Sequence, residues 1–429
     1  GKNPGFKIHI GDDHFWETAR QFEFSRSLSM LLTGRLSLLR LQLAALPICQ
    51  SLASAHLASI FRHFHTSSST AESVTMGMRC EWTRIGEGEG KPSSRSSHSV
   101  NINNNNVYLF GGESAPRTPI DSKIHVYDLK SDTWTTPVTL NEPPSARLAH
   151  GAAFANGKLY VFGGQTSVAA SVDIEDKDKR EEATLNDLFV FDPETSTWTE
   201  LTSQTHGPTP ERRSYHTMTS YSNKIYLFGG VGVNGRLNDL HEFDPATLTW
   251  RQLASPDSDK CPGRGGSAVV AYKGKLYVVN GFAGHERNDV HEYDIGSNTW
   301  RQTEWTGDNP PRSVSAVVVA GGGIITMGGE ADPSKLGHAG AGKFTDAVFH
   351  FSPRTNHWTR LLCEGVGNGK MPMPRGWHTG AALSDGSGLV IFGGVDTDNA
   401  RLDDFWKLTL VISASEPVES GGQVRRNYD

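Results

Sequence analysis

The chain has 429 residues, of which 36% are apolar, 46 are glycine and 21 are proline, and its formal net charge is −6. Residues 1–75 hold seven basic and five acidic residues, so the acidic excess lies in the rest of the chain. General nucleic-acid binding needs a basic surface and is therefore not expected. The sequence has no stretch of 18 uninterrupted apolar residues, so no membrane span is predicted.

Cysteine spacing argues against a zinc site. The four cysteines are far apart in the chain and form no C-x-x-C pair: Cys49, Cys80, Cys261 and Cys363. This pattern predicts free thiols in a reducing compartment.

Residues 1–75 are interpreted as an extension that precedes the main domain. Residues 30–71 contain no acidic residue but several arginines and many Leu, Ser and Ala, so the segment from Met30 resembles a mitochondrial presequence. The other interpretation is that translation starts at Met76 or Met78. A mitochondrial protein is expected in the first case and a cytoplasmic one in the second.

An internal repeat occupies residues 80–410. Each unit has a short apolar run that ends in two glycines, at 107–112, 159–164, 225–230, 325–329 and 390–394, and in 276–281 with Asn280 in place of the first glycine. A second apolar run follows and ends in aspartate in four units, and in five units a tryptophan comes after it: Trp134, Trp198, Trp250, Trp300 and Trp358. An arginine precedes each glycine pair: Arg95, Arg147, Arg213, Arg264, Arg312 and Arg375.

Each unit has the pattern of four short strands. Both faces of such a sheet are covered by neighbouring sheets, which explains apolar runs in place of clean alternation. The pattern resembles the Kelch repeat over about three quarters of the chain. The resemblance implies an all-β fold, a six-bladed Kelch β-propeller.

The two ends of the repeat region complement each other. The sixth unit lacks its outer tryptophan strand, whereas residues 81–85, which include Trp82, have that pattern before the first unit. We therefore predict that this N-terminal outer strand completes the last blade and closes the ring. Residues 411–429 are rich in Ser, Glu and Gly and are predicted to be disordered.

The second unit carries a long charged insertion at residues 165–186, between its second and third strands. Such a segment is either a solvated loop or a lid that contacts a partner.

Loops at one end of the channel are the predicted binding surface. The six arginines either bridge blades or bind an anionic ligand through planar, bidentate donors. Among them, Arg95, Arg147 and Arg213 are the stronger ligand candidates. Four histidines that follow these arginines, His98, His150, His216 and His378, are expected to form hydrogen bonds within the blades. The ligand-binding set is completed by Glu113, Arg117 and Trp377.

The loop at residues 330–344 has the composition of a metal site. Glu330, Asp332 and His338 supply two carboxylates and an imidazole within nine residues, a set suited to iron(II). This loop and residues 111–119 resemble those of plant nitrile-specifier, epithiospecifier and thiocyanate-forming proteins. The resemblance implies ferrous iron and a role in glucosinolate metabolism. The iron motif of that group is Glu, three residues, Asp, three residues, His, and this chain has Ser334 in place of the Asp.

Two functions follow from these observations. The first is a non-enzymatic propeller whose loop face binds a small anionic ligand or a protein partner. The alternative is an Fe(II)-dependent specifier-type protein that directs the breakdown of glucosinolate aglycones to nitriles or related products.

Overall fold

The computed structural model describes residues 76–167 and 183–414, and these residues form six antiparallel sheets of a β-propeller. From the central channel outward, the four strands of each blade are Ser99–Asn103, Asn106–Phe110, Ile124–Asp128 and Thr133–Thr135 in blade 1; Gly151–Ala155, Lys158–Gln165, Thr184–Asp192 and Thr197–Glu200 in blade 2; Thr217–Tyr221, Lys224–Gly232, Gly235–Asp244 and Thr249–Gln252 in blade 3; Ala268–Tyr272, Lys275–Val279, Val290–Asp294 and Thr299–Gln302 in blade 4; Ala316–Ala320, Gly323–Met327, Val348–Ser352 and His357–Arg360 in blade 5; and Thr379–Ala382, Gly388–Val395, Arg401–Ala414 and Met76–Arg84 in blade 6.

Short elements decorate these sheets. They are the strand pairs Glu113–Ala115 with Thr118–Pro119 and Glu330–Asp332 with Lys343–Phe344, the strands Arg213–Ser214, Thr306–Gly307 and Leu362–Gly365, and the 3₁₀ turns Thr202–Gln204 and Gly337–Ala339. Within the described ranges, no helix is long and apolar enough to span a bilayer. The charged segment at 168–182, residues 1–75 and residues 415–429 lie outside the described residues.

The six-bladed all-β fold and its closure by the N-terminal strand are confirmed. Met76–Arg84 pairs antiparallel with Arg401–Ala414, from Met76 opposite Ala414 to Arg84 opposite Trp406. Both strands are longer than the sequence pattern indicated, and residues 411–414, predicted to belong to the disordered tail, are part of the closing pair. Trp82 is buried in the core between blades 5 and 6.

The outer tryptophans hold neighbouring blades together. Trp198 of blade 2 lies 5.2 Å from the Phe110 ring of blade 1 and 5.0 Å from Phe191 of its own blade. Trp250 of blade 3 packs in the same way against Phe162 of blade 2. Because every such tryptophan contributes to two blades, the apolar core lies between the sheets.

A closed ring of six backbone hydrogen bonds surrounds one end of the channel. The residue two positions after each repeat arginine donates its N–H to the carbonyl of the equivalent residue in the preceding blade, over 2.8 to 3.0 Å. The six residues are Ser97, Ala149, Tyr215, Gly266, Val314 and Trp377, and we call them the mouth ring. All six have φ between 47° and 60°. For a residue with a side chain this left-handed conformation costs about 1–2 kcal/mol, and the inter-blade bond offsets that cost.

The glycine pairs allow adjacent blades to approach closely. Gly112 donates its N–H to the carbonyl of Arg147 in the next blade, over 2.8 Å. A Cβ atom on the neighbouring Gly111, whose φ is +64°, would lie 2.6 Å from the same carbonyl oxygen. A side chain at this position would therefore separate the two blades.

The prediction of free thiols is wrong for two of the cysteines. Cys80 and Cys363 form a disulfide across a sequence separation of 283 residues. Ring closure brings the two cysteines together, because the N-terminal strand runs parallel to Leu362–Gly365 with Cys80 opposite Cys363. Cys261 is free and buried. The cysteines therefore do not indicate a reducing compartment.

Loss of this disulfide should loosen the closed ring. We expect Cys363→Ser to lower the free energy of unfolding by about 2–4 kcal/mol, because the cross-link restricts the unfolded chain. Denaturant unfolding followed by tryptophan fluorescence measures the change. Reductant should lower the stability of the wild-type protein by the same amount and leave Cys363→Ser unchanged. Equal stability of oxidised and reduced wild-type protein would contradict the prediction.

Candidate functional site

One end of the channel gathers the segments of interest, and we call it the loop face. There the chain before each innermost strand pairs with the end of the second strand, as at Ser96 with Glu113, Gly265 with Phe282 and Ser313 with Glu330. The connections between second and third strands rise from the same end.

Five of the six repeat arginines have an identical role within their blades. Arg147 is fully buried, donates to the carbonyls of Ser145 and Gly163, and forms a bidentate ion pair with Asp187 at 2.7 and 2.8 Å. Equivalent pairs join Arg213 to Asp239, Arg264 to Asp289 and Arg375 to Asp404, while Arg95 reaches Asp121 at 3.2 Å.

These contacts correct the ligand role predicted for three arginines. Arg95, Arg147 and Arg213 have no exposed surface, and their guanidinium groups bond to carbonyls and carboxylates of their own blades. The predicted alternative, a structural role, is the one that the geometry supports. The repeat histidines are buried as well, and burial with the nearby Arg147 lowers the pKa of His150 to about 3.

Glu113 is the centre of a polar network beneath the loop face. Its Oε1 accepts hydrogen bonds from the hydroxyls of Ser96 and Ser97, both at 3.0 Å, and from Arg401 at 3.4 Å. Its Oε2 accepts from the backbone N–H of Arg117 at 2.7 Å and pairs with His338 Nε2 at 2.9 Å.

The charge of Glu113 is stabilised in spite of its complete burial. Burial alone would raise its pKa, but the bonds from His338 and Arg117 and the charge of Arg401 hold the pKa below its usual value. Glu113 is therefore an anchor for surrounding groups and offers no exposed oxygen to a ligand.

His338 crosses the loop face from blade 5 to blade 1. Its ring packs edge-on against Trp377, with centroids 4.5 Å apart, and lies 5.7 Å from the ring of Tyr215. The hydroxyl of Tyr215 is 3.5 Å from His338 Nε2. Burial, with the negative charge of Glu113, raises the pKa of Tyr215, so this hydroxyl stays protonated.

The predicted iron ligands do not converge. His338 Nε2 is directed at Glu113, Asp332 is exposed, and the Glu330 side chain lies against Gly342. Among residues 76–167 and 183–414, no three His, Cys, Asp or Glu side chains are placed to hold a metal ion. The set Glu330, Asp332 and His338 therefore does not fit ferrous iron in this arrangement.

Two buried carboxyl groups lie on the blade 4 and 5 side of the face. Burial raises the pKa of Glu330 to about 7, although the amides of Ser334 and Gly342 oppose the shift. Burial, reinforced by Glu330 and Asp332, raises the pKa of Glu286 to about 8. Glu286 accepts a hydrogen bond from the Ser313 hydroxyl at 3.2 Å.

A cavity of about 420 Å³ opens at the mouth of the channel. The mouth ring shapes it: Tyr215 and Trp377 form walls, while Gly266 and Val314 leave space between them. Arg117, Phe282, Glu330 and His338, from connections between second and third strands, also line the cavity, as does Arg236 at the start of the third strand of blade 3. The channel below is a second cavity of similar volume, lined by the innermost strands.

Two arginines of this cavity have no internal counter-charge. Arg117 and Arg236 form neither a side-chain hydrogen bond nor an ion pair with any residue in the described part of the chain. The Arg236 guanidinium lies 4.7 Å from the centre of the Phe282 ring. Burial lowers the pKa of Arg236 from its ordinary value, but the group remains a cation. The cavity thus combines two unpaired cations with aromatic walls.

The predicted set therefore divides into three groups. Arg117 and Trp377 line the cavity, Glu113 supports it from below, and Arg95, Arg147 and Arg213 are structural. Arg236 and Tyr215, which also line the cavity, were not identified from the sequence. Tyr215 could have been found, because it occupies the same repeat position as Trp377.

Comparisons with known proteins agree with the fold. Residues 98–329 match the family described as the KLHDC2/KLHL20/DRC7 Kelch-repeats domain. An N-(sulfonatooxy)prop-2-enimidothioate sulfolyase from Thlaspi arvense is 30% identical over 352 residues, which are 76% of this chain and 96% of that protein. Kelch domain-containing protein 3 from Rattus norvegicus is 30% identical over 176 residues, 40% of this chain and 44% of that protein. The solved structure of YjhT aligns with a TM-score of 0.57 at 18% identity, over 76% of this chain and 99% of that one, and supports the fold alone.

The two classes of arginine should respond differently to substitution. We expect Arg213→Met to lower the free energy of unfolding by about 3 kcal/mol, because it removes the bidentate partner of the largely buried Asp239 and leaves only the contact with His241. Arg236→Met should lower the free energy of unfolding by less than about 1 kcal/mol, since it removes only the stacking contact with Phe282. Urea unfolding of both variants measures the difference. Similar stabilities for the two variants would show that Arg213 has no structural role.

Proposed function

Because this chain belongs to the Kelch-repeat family of β-propellers, we propose that it functions by binding a small organic anion in the cavity between Arg117 and Arg236. The observation that carries the proposal is the absence of an internal partner for either guanidinium within the described residues. Unpaired arginines at the rim of a cavity are suited to carboxylate, sulfate or phosphate groups, which accept two parallel hydrogen bonds.

The walls of the cavity indicate what kind of molecule would carry the anionic group. Tyr215, Phe282 and Trp377 offer aromatic surface beside the two arginines. A flat or apolar body would therefore be bound by stacking while the anion pairs with arginine. Pockets with a few polar groups in mostly apolar walls are typical of small-molecule sites.

The network around Glu113 preorganises this site. Oε2 of Glu113 fixes the backbone of Arg117, whose φ of +60° is held by a 2.7 Å bond, and positions His338 against Trp377. A ligand that enters the cavity would meet side chains that are already in place, so less conformational entropy is lost on binding.

Removal of either cavity arginine should weaken binding without unfolding the protein. With 4-nitrophenyl sulfate as probe, we expect Arg117→Ala and Arg236→Ala each to raise the Kd about 10-fold or more, the worth of a hydrogen bond to a charged group. Titration calorimetry at low salt measures the affinity. Lys273→Ala, which removes an exposed cation from the turn at the other end of blade 4, is the control and should bind like the wild type. Equal affinities for all four proteins would exclude this cavity as the site.

A second candidate function rests on the Thlaspi arvense relative. Its name describes a sulfolyase that acts on a sulfonatooxy compound, and a sulfate ester is an anion of the class that Arg117 and Arg236 would bind. In this candidate the protein would direct the breakdown of a related thiohydroximate sulfate with ferrous iron as cofactor. The separation of Glu330, Asp332 and His338 favours the first candidate.

Iron binding distinguishes the two candidates. Anaerobic calorimetry with iron(II) on the full chain should show no binding, because His338 Nε2 is already engaged by Glu113. The matched variant His338→Ala should give the same result. Micromolar binding that is lost in the variant would instead establish the metal site and justify an assay with a glucosinolate and its hydrolase.

A further inference from the structure

Arg312 of blade 5 departs from the contacts of the other five repeat arginines. In those blades the Nε atom donates to a carbonyl two residues upstream, as Arg213 does to Glu211, and Nη1 donates to a carbonyl at the first position of the glycine pair, as Arg213 does to Gly229. In Arg312 both Nε and Nη1 are buried without a hydrogen-bond partner among the described residues. The side chain is only 1% exposed.

The sequence explains why Arg312 has no aspartate partner. In blades 2, 3, 4 and 6 the paired aspartate directly precedes the third-strand residue that lies opposite the last residue before the glycine pair: Asp187, Asp239, Asp289 and Asp404. In blade 5 this position is Ala347, directly before Val348. The adjacent Asp346 is exposed and forms no ion pair with Arg312.

Neutral contacts replace only part of the Arg–Asp ion pair that Arg312 lacks. Arg312 Nη2 donates to Asn309 Oδ1 at 2.9 Å and to Thr326 Oγ1 at 2.6 Å. The guanidinium also lies 4.3 Å from the centre of the Phe349 ring. None of these contacting groups carries a negative charge, and burial lowers the pKa of Arg312 to about 9, although the charge of the exposed Asp308 opposes the shift.

A second unpaired donor belongs to the same hydrogen-bonded chain. Asn280, which replaces the first glycine of the pair in blade 4, accepts from Asn309 Nδ2 through Oδ1 at 3.3 Å. Its Nδ2 is buried without a partner among the described residues. Asn280, Asn309 and Arg312 therefore form a chain across the junction of blades 4 and 5 with donors in excess of acceptors.

We propose that this junction binds a small inorganic anion of the chloride type, held by Arg312 and Asn280 in place of the missing aspartate carboxylate. A buried guanidinium without a carboxylate in hydrogen-bond contact is costly, and a buried N–H without an acceptor adds to that cost. A monovalent anion satisfies both. The site is separate from the loop-face cavity, because Arg312 and Asn280 are absent from the lining of that cavity.

Halide dependence of the full chain tests the proposal. At constant ionic strength, sodium bromide should raise the melting temperature of the wild type above its value in sodium gluconate. Ala347→Asp supplies the carboxylate from the chain, so it should melt higher than the wild type in gluconate and lose the response to bromide. Ala347→Asn, of similar size but neutral, should keep the response. Equal responses of the Asp and Asn variants would overturn the proposal.

Crystals of the wild-type protein grown with bromide give an answer that does not depend on the variants folding. The expected result is an anomalous peak within hydrogen-bond distance of Arg312 Nε or Nη1. No peak at this position, with bromide found only on the surface, would show that the guanidinium is stabilised by Asn309, Thr326 and Phe349 alone.

Discussion

The mouth ring is the constraint on which the rest of the propeller depends. Six backbone hydrogen bonds run from blade to blade and return to their start, so each blade is fixed relative to both neighbours. The left-handed backbone that forms these bonds also fixes the position from which each side chain of the ring extends. Because the backbone is the same in every blade, variation of the side chains alone shapes the channel mouth. The cavity lies on one side of the ring, where Tyr215, Gly266, Val314 and Trp377 line it.

Burial determines which arginines stabilise the fold. A guanidinium removed from water must recover its lost hydration through partners, and Arg147, Arg213, Arg264 and Arg375 do so with two carbonyls and a bidentate carboxylate each. The aspartates of these pairs come from the start of the third strand, so the ion pair joins the channel side of a blade to its middle. This arrangement repeats the same local connection around the ring and explains why an arginine recurs in every unit.

The repeat could be predicted from the sequence because its signals are local and occur six times. Glycine pairs, tryptophans and the outer strand around Trp82 each specify one blade, and closure follows from their order. The roles of Arg147 and Arg213 could also have been predicted, because Asp187 and Asp239 recur at the same place in the third-strand segment. Contacts between distant loops could not be predicted from the sequence. The approach of His338 to Glu113, and of Cys80 to Cys363, depends on where closure places segments more than 200 residues apart. Composition alone therefore indicated a metal site in a loop whose histidine faces Glu113 of blade 1.

Whether a charged residue binds a ligand depends on what the fold leaves unpaired around it. Three situations of arginine in this propeller illustrate the point: ion-paired and buried, as at Arg213; without an internal partner at a cavity, as at Arg117 and Arg236; and buried in the core without an ion pair, as at Arg312. The first is satisfied within the chain and has nothing to offer a ligand. The other two retain donors that water or an anion must satisfy. Departures from the repeat are therefore more informative about function than the repeat itself. The single replacement of aspartate by Ala347 changes an arginine that stabilises a blade into one that requires a partner from outside the chain.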